Sequence, residues 1–183
     1  MNDLKPMKIS HASDEVVATL LRSDAWVLEQ KMDGARVMVH VTREAGLTRF
    51  DWRASSGEPL KFAAAAQHIE RLSAQLTDVV KDAELVKATF DGELIVSTGV
   101  LHLFDLPYAE IASGIVVAPE STYSWRREGL KSMFVGGEFT HLRLVRSAHG
   151  TEDKAGLWEA IKASGAEGAI GRASCRERVS ECV

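Results

Sequence analysis

Cysteine is nearly absent from this chain: Cys175 and Cys182 stand in its last few positions, and everything before them is cysteine-free. That excludes a disulfide framework and a thiolate zinc site. No apolar run approaches the roughly 20 residues that a membrane helix requires. The start, Met1-Asn2-Asp3-Leu4-Lys5, has no signal-peptide core. These absences predict a cytoplasmic protein without a membrane partner; a monomer is expected separately. An excess of positive charge is missing too, since the formal net charge is −4. This argues against an evenly basic nucleic-acid-binding protein. Two local basic sets remain, Arg126-Arg127 with Lys131, and Arg143 with Arg146. Each is read as a local basic surface or as an ordinary solvated face. No internal repeat is present.

What is there suits one soluble core of 183 residues, 45% hydrophobic and 26% charged. Ser13-Asp14-Glu15 before Val16, Val17, Leu20 and Leu21 predicts a capped amphipathic helix. Trp26 to Gln30 reads as a strand, and Arg36 to Thr42 alternates as a second that returns through Leu47 to Arg53. Phe62, Ala66, Ile69, Leu72 and Leu76 follow a helical repeat over 61–76. A second hairpin is expected from Phe90 to Ser97 and from Val100 to Leu106, ended by Pro107. Ile111 to Ser124 reads mostly as loop, Trp125 to Phe134 as helix, and Phe139 to Arg146 as strand. Lys154 to Ser164 reads as a helix stopped at Gly165. Hairpins interrupted by helices give an α+β fold with antiparallel sheets.

The chemistry concentrates in Lys31-Met32-Asp33-Gly34-Ala35-Arg36. A lysine can act as a covalent nucleophile, but only in its neutral form, and an unperturbed lysine titrates near ~10.4. A neighbouring cation, burial or a metal must help it lose the proton. Gly34 permits a tight turn or a close approach, and Arg36 offers a planar fork for phosphate oxygens. Asp33 suits a structural turn as well as a general base.

This hexapeptide resembles the Lys-x-Asp-Gly-x-Arg signature of the covalent nucleotidyltransferases: ATP-dependent DNA ligases, RNA ligases and mRNA capping guanylyltransferases. Later segments arrive in the family's order. Phe90-Asp91-Gly92-Glu93-Leu94-Ile95 is similar to the strand motif in which a glutamate accepts hydrogen bonds from ribose, a role the resemblance gives to Glu93. Leu103-Phe104-Asp105-Leu106 is similar to the motif whose aromatic ring, here Phe104, stacks on the purine; core packing is the alternative for a phenylalanine. Glu167-Gly168-Ala169-Ile170 looks like the start of the motif whose glutamate helps hold the catalytic metal. Its expected terminal lysine is replaced by Arg172 or lost. Arg53-Ala54-Ser55-Ser56-Gly57 stands imperfectly where a Ser-Arg-x-Gly motif contacts ribose and 5′-phosphate. Glu29 resembles the position that reads the adenine edge, or it is a strand-end surface charge.

The resemblance covers roughly Trp26 to Ile170. It implies an ATP-grasp-like ligase adenylation domain over 1–169, incomplete at its C-terminal side and without the OB-fold domain of the family. It also implies ATP as substrate, Mg²⁺ or Mn²⁺, nicked duplex DNA as the partner of the full-length protein, and a place in DNA repair, replication or recombination. Ile170 to Val179 matches what one reading frame of a short-read sequencing adapter encodes. Residues 170–183 are therefore read as a non-native tail that packs poorly, a native basic tail being the alternative. On this reading the chain alone has little or no sealing activity. The alternatives are an RNA ligase or capping guanylyltransferase, and an inactive nucleotide-binding fragment.

Overall fold

The computed structural model describes residues 9–11, 13–60, 63–174 and 180–182. In chain order the elements are β1 (Ile9–His11), α1 (Asp14–Arg22), β2 (Trp26–Gln30), β3 (Ala35–Glu44), β4 (Leu47–Ala54), α2 (Ala63–Asp82), β5 (Leu85–Ile95) and β6 (Val100–Ile111). They continue with β7 (Gly114–Val117), α3 (Tyr123–Ser132), β8 (Leu142–Leu144), β9 (Ser147–Ala148), α4 (Thr151–Ser164), β10 (Ala169–Ala173) and β11 (Ser180–Cys182). The α+β class holds. The chain divides into two compact units: one contains Gly34–Ser121 and Trp125–Leu144, the other the described residues of 7–33, 122–124 and 145–183.

In the first unit a six-stranded sheet runs β4-β3-β5-β6-β7, with β8 pairing parallel to β6. The period-2 pattern of β3 sends Val37, Val39 and Val41 into a core with Phe90, Leu94, Leu101 and Leu103. Leu72, Leu76 and Val79 of α2 complete that core from their shared helical face. Each such side chain stabilises the fold by roughly 1.5–3 kcal/mol. The other face of the sheet takes Arg36, Met38 and His40, opposite Glu93, Asp91 and Thr89 in register. Ala45 and Gly46, at φ 50 and 79, make the tight turn between β3 and β4.

The second unit holds a five-stranded sheet ordered β1-β11-β10-β2-β9. Leu28, Ala148 and Ala169 pack with Leu157 and Ile161 of α4. The first helix begins as expected: the Ser13 hydroxyl caps α1 by accepting from the Val16 N–H. Its last turn is closed by Lys154, whose buried ammonium donates to the carbonyls of Leu20, Ser23 and Trp26 at 3.0, 2.6 and 3.2 Å. Burial lowers the pKa of Lys154, and the charge of Asp24 opposes that shift.

Several expectations are corrected. Pro107 does not end the second hairpin, because β6 continues to Ile111 through a register irregularity between the Thr89 and Asp91 pairings. A bulge is where a sheet tolerates a residue that cannot donate. The stretch read as loop contains β7, paired to β6. Helix α2 runs on to Asp82, while positions 61 and 62 lie outside the described residues. The strand expected over 139–146 shrinks to β8. Poor packing from Ile170 onward is also overturned in part: β10 is buried along its whole length between β2 and β11. Its charged member, Arg172, is accommodated because Glu29 supplies a carboxylate on the neighbouring strand. Positions 175–179 lie outside the described residues.

Candidate nucleotidyltransferase site

The residues singled out in the sequence fall into one group in each unit. In the second unit β2 and β10 pair antiparallel, so Gln30 stands opposite Ala169, and the Lys31 N–H donates to the Gly168 carbonyl at 2.9 Å. Lys31 and Glu167 thus leave the two strand ends together, and the lysine amine donates to Glu167 Oε1. Both side chains remain partly exposed, at 23% and 41%. A carboxylate beside a lysine favours the ammonium form, so the amine becomes a nucleophile only when a second cation draws Glu167 away.

Glu29, two residues earlier, lies on the same strand parity as Lys31. It is no surface charge: it is 1% exposed. Its Oε1 accepts from the Tyr123 hydroxyl and its Oε2 from Arg172 Nε, while the Arg172 guanidinium also lies 5.4 Å from the centre of the Tyr123 ring. A buried carboxylate is tolerated only when its oxygens are satisfied in this way. Tyr123 escaped the sequence reading because it sits in the stretch read as loop, and a lone tyrosine carries no spacing signal.

In the first unit Arg36 faces Glu93 directly across the β3–β5 ladder. Its fork grips Asp91 in two bonds, Nε to Oδ1 at 3.0 Å and Nη2 to Oδ2 at 2.7 Å. The same guanidinium lies 5.2 Å from the centre of the Phe104 ring. Phe104 reaches that face because Asp91 pairs Asp105 while Gly92 pairs Leu103, which leaves Phe104 as the extra residue of a bulge. It is buried, yet it stands apart from the hydrophobic core of the unit. The two Asp-Gly glycines are required by close backbone approach: a Cβ on Gly34 would lie 2.6 Å from the Leu94 carbonyl, and one on Gly92 2.8 Å from that of His102.

Arg53 donates to Asp51 at 2.8 Å and to the Gly57 carbonyl at 3.0 Å, so it holds the loop of its own motif. The basic set at Arg126 and Arg127 is not a surface patch. Arg126 grips the buried Asp105 at 2.8 and 3.0 Å, and Arg127 donates to the Leu103 carbonyl at 3.2 Å. Both arginines brace the Phe104 segment of β6 from α3. Among the described residues no three metal-ligating side chains cluster. A divalent ion at Glu167 would therefore complete its shell from water and nucleotide phosphates, which suits Mg²⁺.

The fold is shared with ATP-dependent polynucleotide ligases. Mycobacterial DNA ligase D, solved in complex with ATP and MES, matches with a TM-score of 0.68 and 22% identity over 98% of this chain and 60% of that one. The ATP-dependent DNA ligase of bacteriophage T7, also in complex with ATP, matches with a TM-score of 0.61 and 16% identity over 99% of this chain and 68% of that one. An archaeal ATP-dependent RNA ligase follows at 0.56 and 17%, covering 100% and 50%. No family model and no curated protein sequence matches the chain. The chain thus spans about 60% of the length of the mycobacterial ligase.

Proposed function

We infer that the chain is the adenylation domain of an ATP-dependent DNA ligase and that Lys31 becomes covalently adenylated. The observation that carries this reading is the Lys31 amine placed against Glu167 at the end of the β2–β10 pair. Lys31 Nζ attacks the α-phosphorus of ATP, a nitrogen–phosphorus bond forms, and pyrophosphate leaves with the electrons of the broken phosphoanhydride bond. The amine proton passes to solvent or to a nearby base. Glu167 accepts an N–H of the lysine and so orients its lone pair, which is a positioning contribution. Glu29 would accept from the base amino group once its contact with Tyr123 or Arg172 opens, and Glu93 would accept from ribose hydroxyls. Arg36, aligned by Asp91, sets the position of Phe104 and the charge beside it. Arg53 serves the sugar or phosphate from its loop. Glu167 would hold a divalent ion through water, and such an ion would offset charge on the phosphate oxygens. In the full-length protein the AMP would then pass to a 5′-phosphate at a DNA nick and be displaced by the 3′-hydroxyl.

The test is incubation of the full-length protein with radiolabelled ATP and Mg²⁺, followed by denaturing electrophoresis. The expected product carries acid-labile, alkali-stable AMP, and Lys31→Ala abolishes the label. Label that persists in Lys31→Ala rejects the assignment. Transfer from GTP in place of ATP would mark a capping-type enzyme. Sealing of nicked RNA in preference to DNA would mark an RNA ligase.

A further inference from the structure

Within the first unit, β7, α3 and the segment after α3 surround an apolar groove that none of the nucleotide-motif residues lines. Its cavity measures about 710 Å³, with walls from Leu85, Val116, Trp125, Met133, Val135 and Phe139. Trp125 is 61% exposed and Val135 83%, and Ile115 and Val116 on β7 are exposed as well. An apolar surface of this kind, gathered at one place, marks an interaction site more often than chance exposure does.

Three features say what fits there. First, Trp125 is exposed and yet anchored, since its indole N–H donates to the Val116 carbonyl at 3.2 Å. A pinned tryptophan loses little freedom on binding and is a frequent source of interface affinity. That same bond occupies a carbonyl of the edge strand, which favours docking through side chains over the addition of a strand. Second, the charged residues in the lining are Asp82 and Glu128, with no lysine or arginine among them. Glu128 is shared with Lys131 at 2.7 Å in an exposed pair, a contact weak enough to exchange for a cation of a partner. Third, the apolar surface extends past the cavity to Ile115 on β7, which is 59% exposed and outside the lining, further than a small ligand would cover.

We propose that this groove docks an amphipathic helix of a partner protein, with an apolar stripe on the groove floor and lysine or arginine beside the acidic rim. The inference is independent of the nucleotidyl-transfer reading.

Binding of a labelled synthetic helix with leucines at three- and four-residue spacing and lysines between them, measured by fluorescence anisotropy on the 183-residue chain, tests it. The Leu/Lys helix should bind saturably, and a helix with glutamate in place of lysine should not. Val135→Asp adds negative charge, so it would strengthen unspecific attraction; docking in the groove requires it to weaken binding by about tenfold or more. Asp82→Lys should weaken binding several-fold, whereas Leu47→Asp, at an exposed position outside the lining, should leave it unchanged. Absence of binding, equal binding of both helices, or binding indifferent to Val135→Asp overturns the proposal. Concentration-dependent self-association that Val135→Asp abolishes in sedimentation velocity also overturns it, by making a second copy the occupant.

Discussion

Asp91 on β5 and Asp105 on β6 stand directly opposite one another in the ladder, and each is gripped through two bonds by its own arginine, Arg36 and Arg126. Like charges facing each other across strands destabilise a sheet. Here each is neutralised, so four ionised groups are built around the segment that carries Phe104. Removing one of them leaves a buried partner without its counter-charge. Asp105→Asn should destabilise the protein by about 3–5 kcal/mol, and the double replacement Asp105→Leu with Arg126→Met by much less. Urea unfolding of the single and double variants measures the difference. Equal losses would show that the charge pairing is not what holds this part of β6.

Gly34 and Gly46 separate two reasons for glycine. Gly34 is fixed by space, with the Leu94 carbonyl 2.6 Å from a built Cβ, while Gly46 has open space but φ +79. Gly34→Ala should force β3 from β5 and cost roughly 1–3 kcal/mol. Gly46→Ala should cost about 1–2 kcal/mol from backbone conformation alone. Amide hydrogen exchange distinguishes the two: the first variant should lose protection along the β3–β5 ladder, the second only at the turn.

Tyr123→Phe removes one donor from the buried Glu29 and should cost about 1.5–3 kcal/mol, the range for a hydrogen bond to a charged group. On the proposed function it should also lower discrimination between ATP and GTP in lysyl-nucleotide formation. Unchanged stability together with unchanged base preference would remove Tyr123 from the account.

The histidines give the fold an acid-side sensitivity. Burial holds the pKa of His40 below its ordinary value, against the carboxylate of Asp51; burial and then Arg143 do the same for His102. The unfolded chain therefore binds protons at a higher pH than the folded one. Stability should be fully present above about pH 6.5 and be lost as the pH falls from there through the lower folded values. The melting temperature should drop between about pH 7.5 and about pH 5.5, and less steeply in a His40→Gln, His102→Gln double variant. A double variant with the parent's pH slope would place the sensitivity elsewhere.

Elements with a strong period were legible in the sequence: the alternation of β3, the apolar face of α2 and the Ser13 cap appear where the pattern puts them. The limits of β6 were not legible, because a proline signals a strand end while the bulge that accommodates it has no composition of its own. Clustered arginines read as a solvated face, yet Arg126 and Arg127 are buried, since their partners lie more than twenty positions away and pairing at that distance leaves no local trace. The ordered motifs did mark Lys31 and Glu167, which meet at adjoining strand ends. Their supports, Asp91 and Tyr123, became visible only once strands were in register.

The irregular course of β6 makes its length informative. Leu101 and Leu103 enter the core at odd positions, Leu106 at an even one and Ala109 at an odd one again, because two offsets in the ladder intervene. Deleting Phe104 would restore strict alternation with Leu103 and Leu106 both still facing the core, and would take away the local bend that a bulge gives its strand. Substitution at Phe104 alters one side chain, whereas deleting it leaves the core leucines in place and removes both the ring and the bulge that presents it. The extra residue thus adds a side chain to the Arg36 face of β6 while the core pattern on the other face is kept.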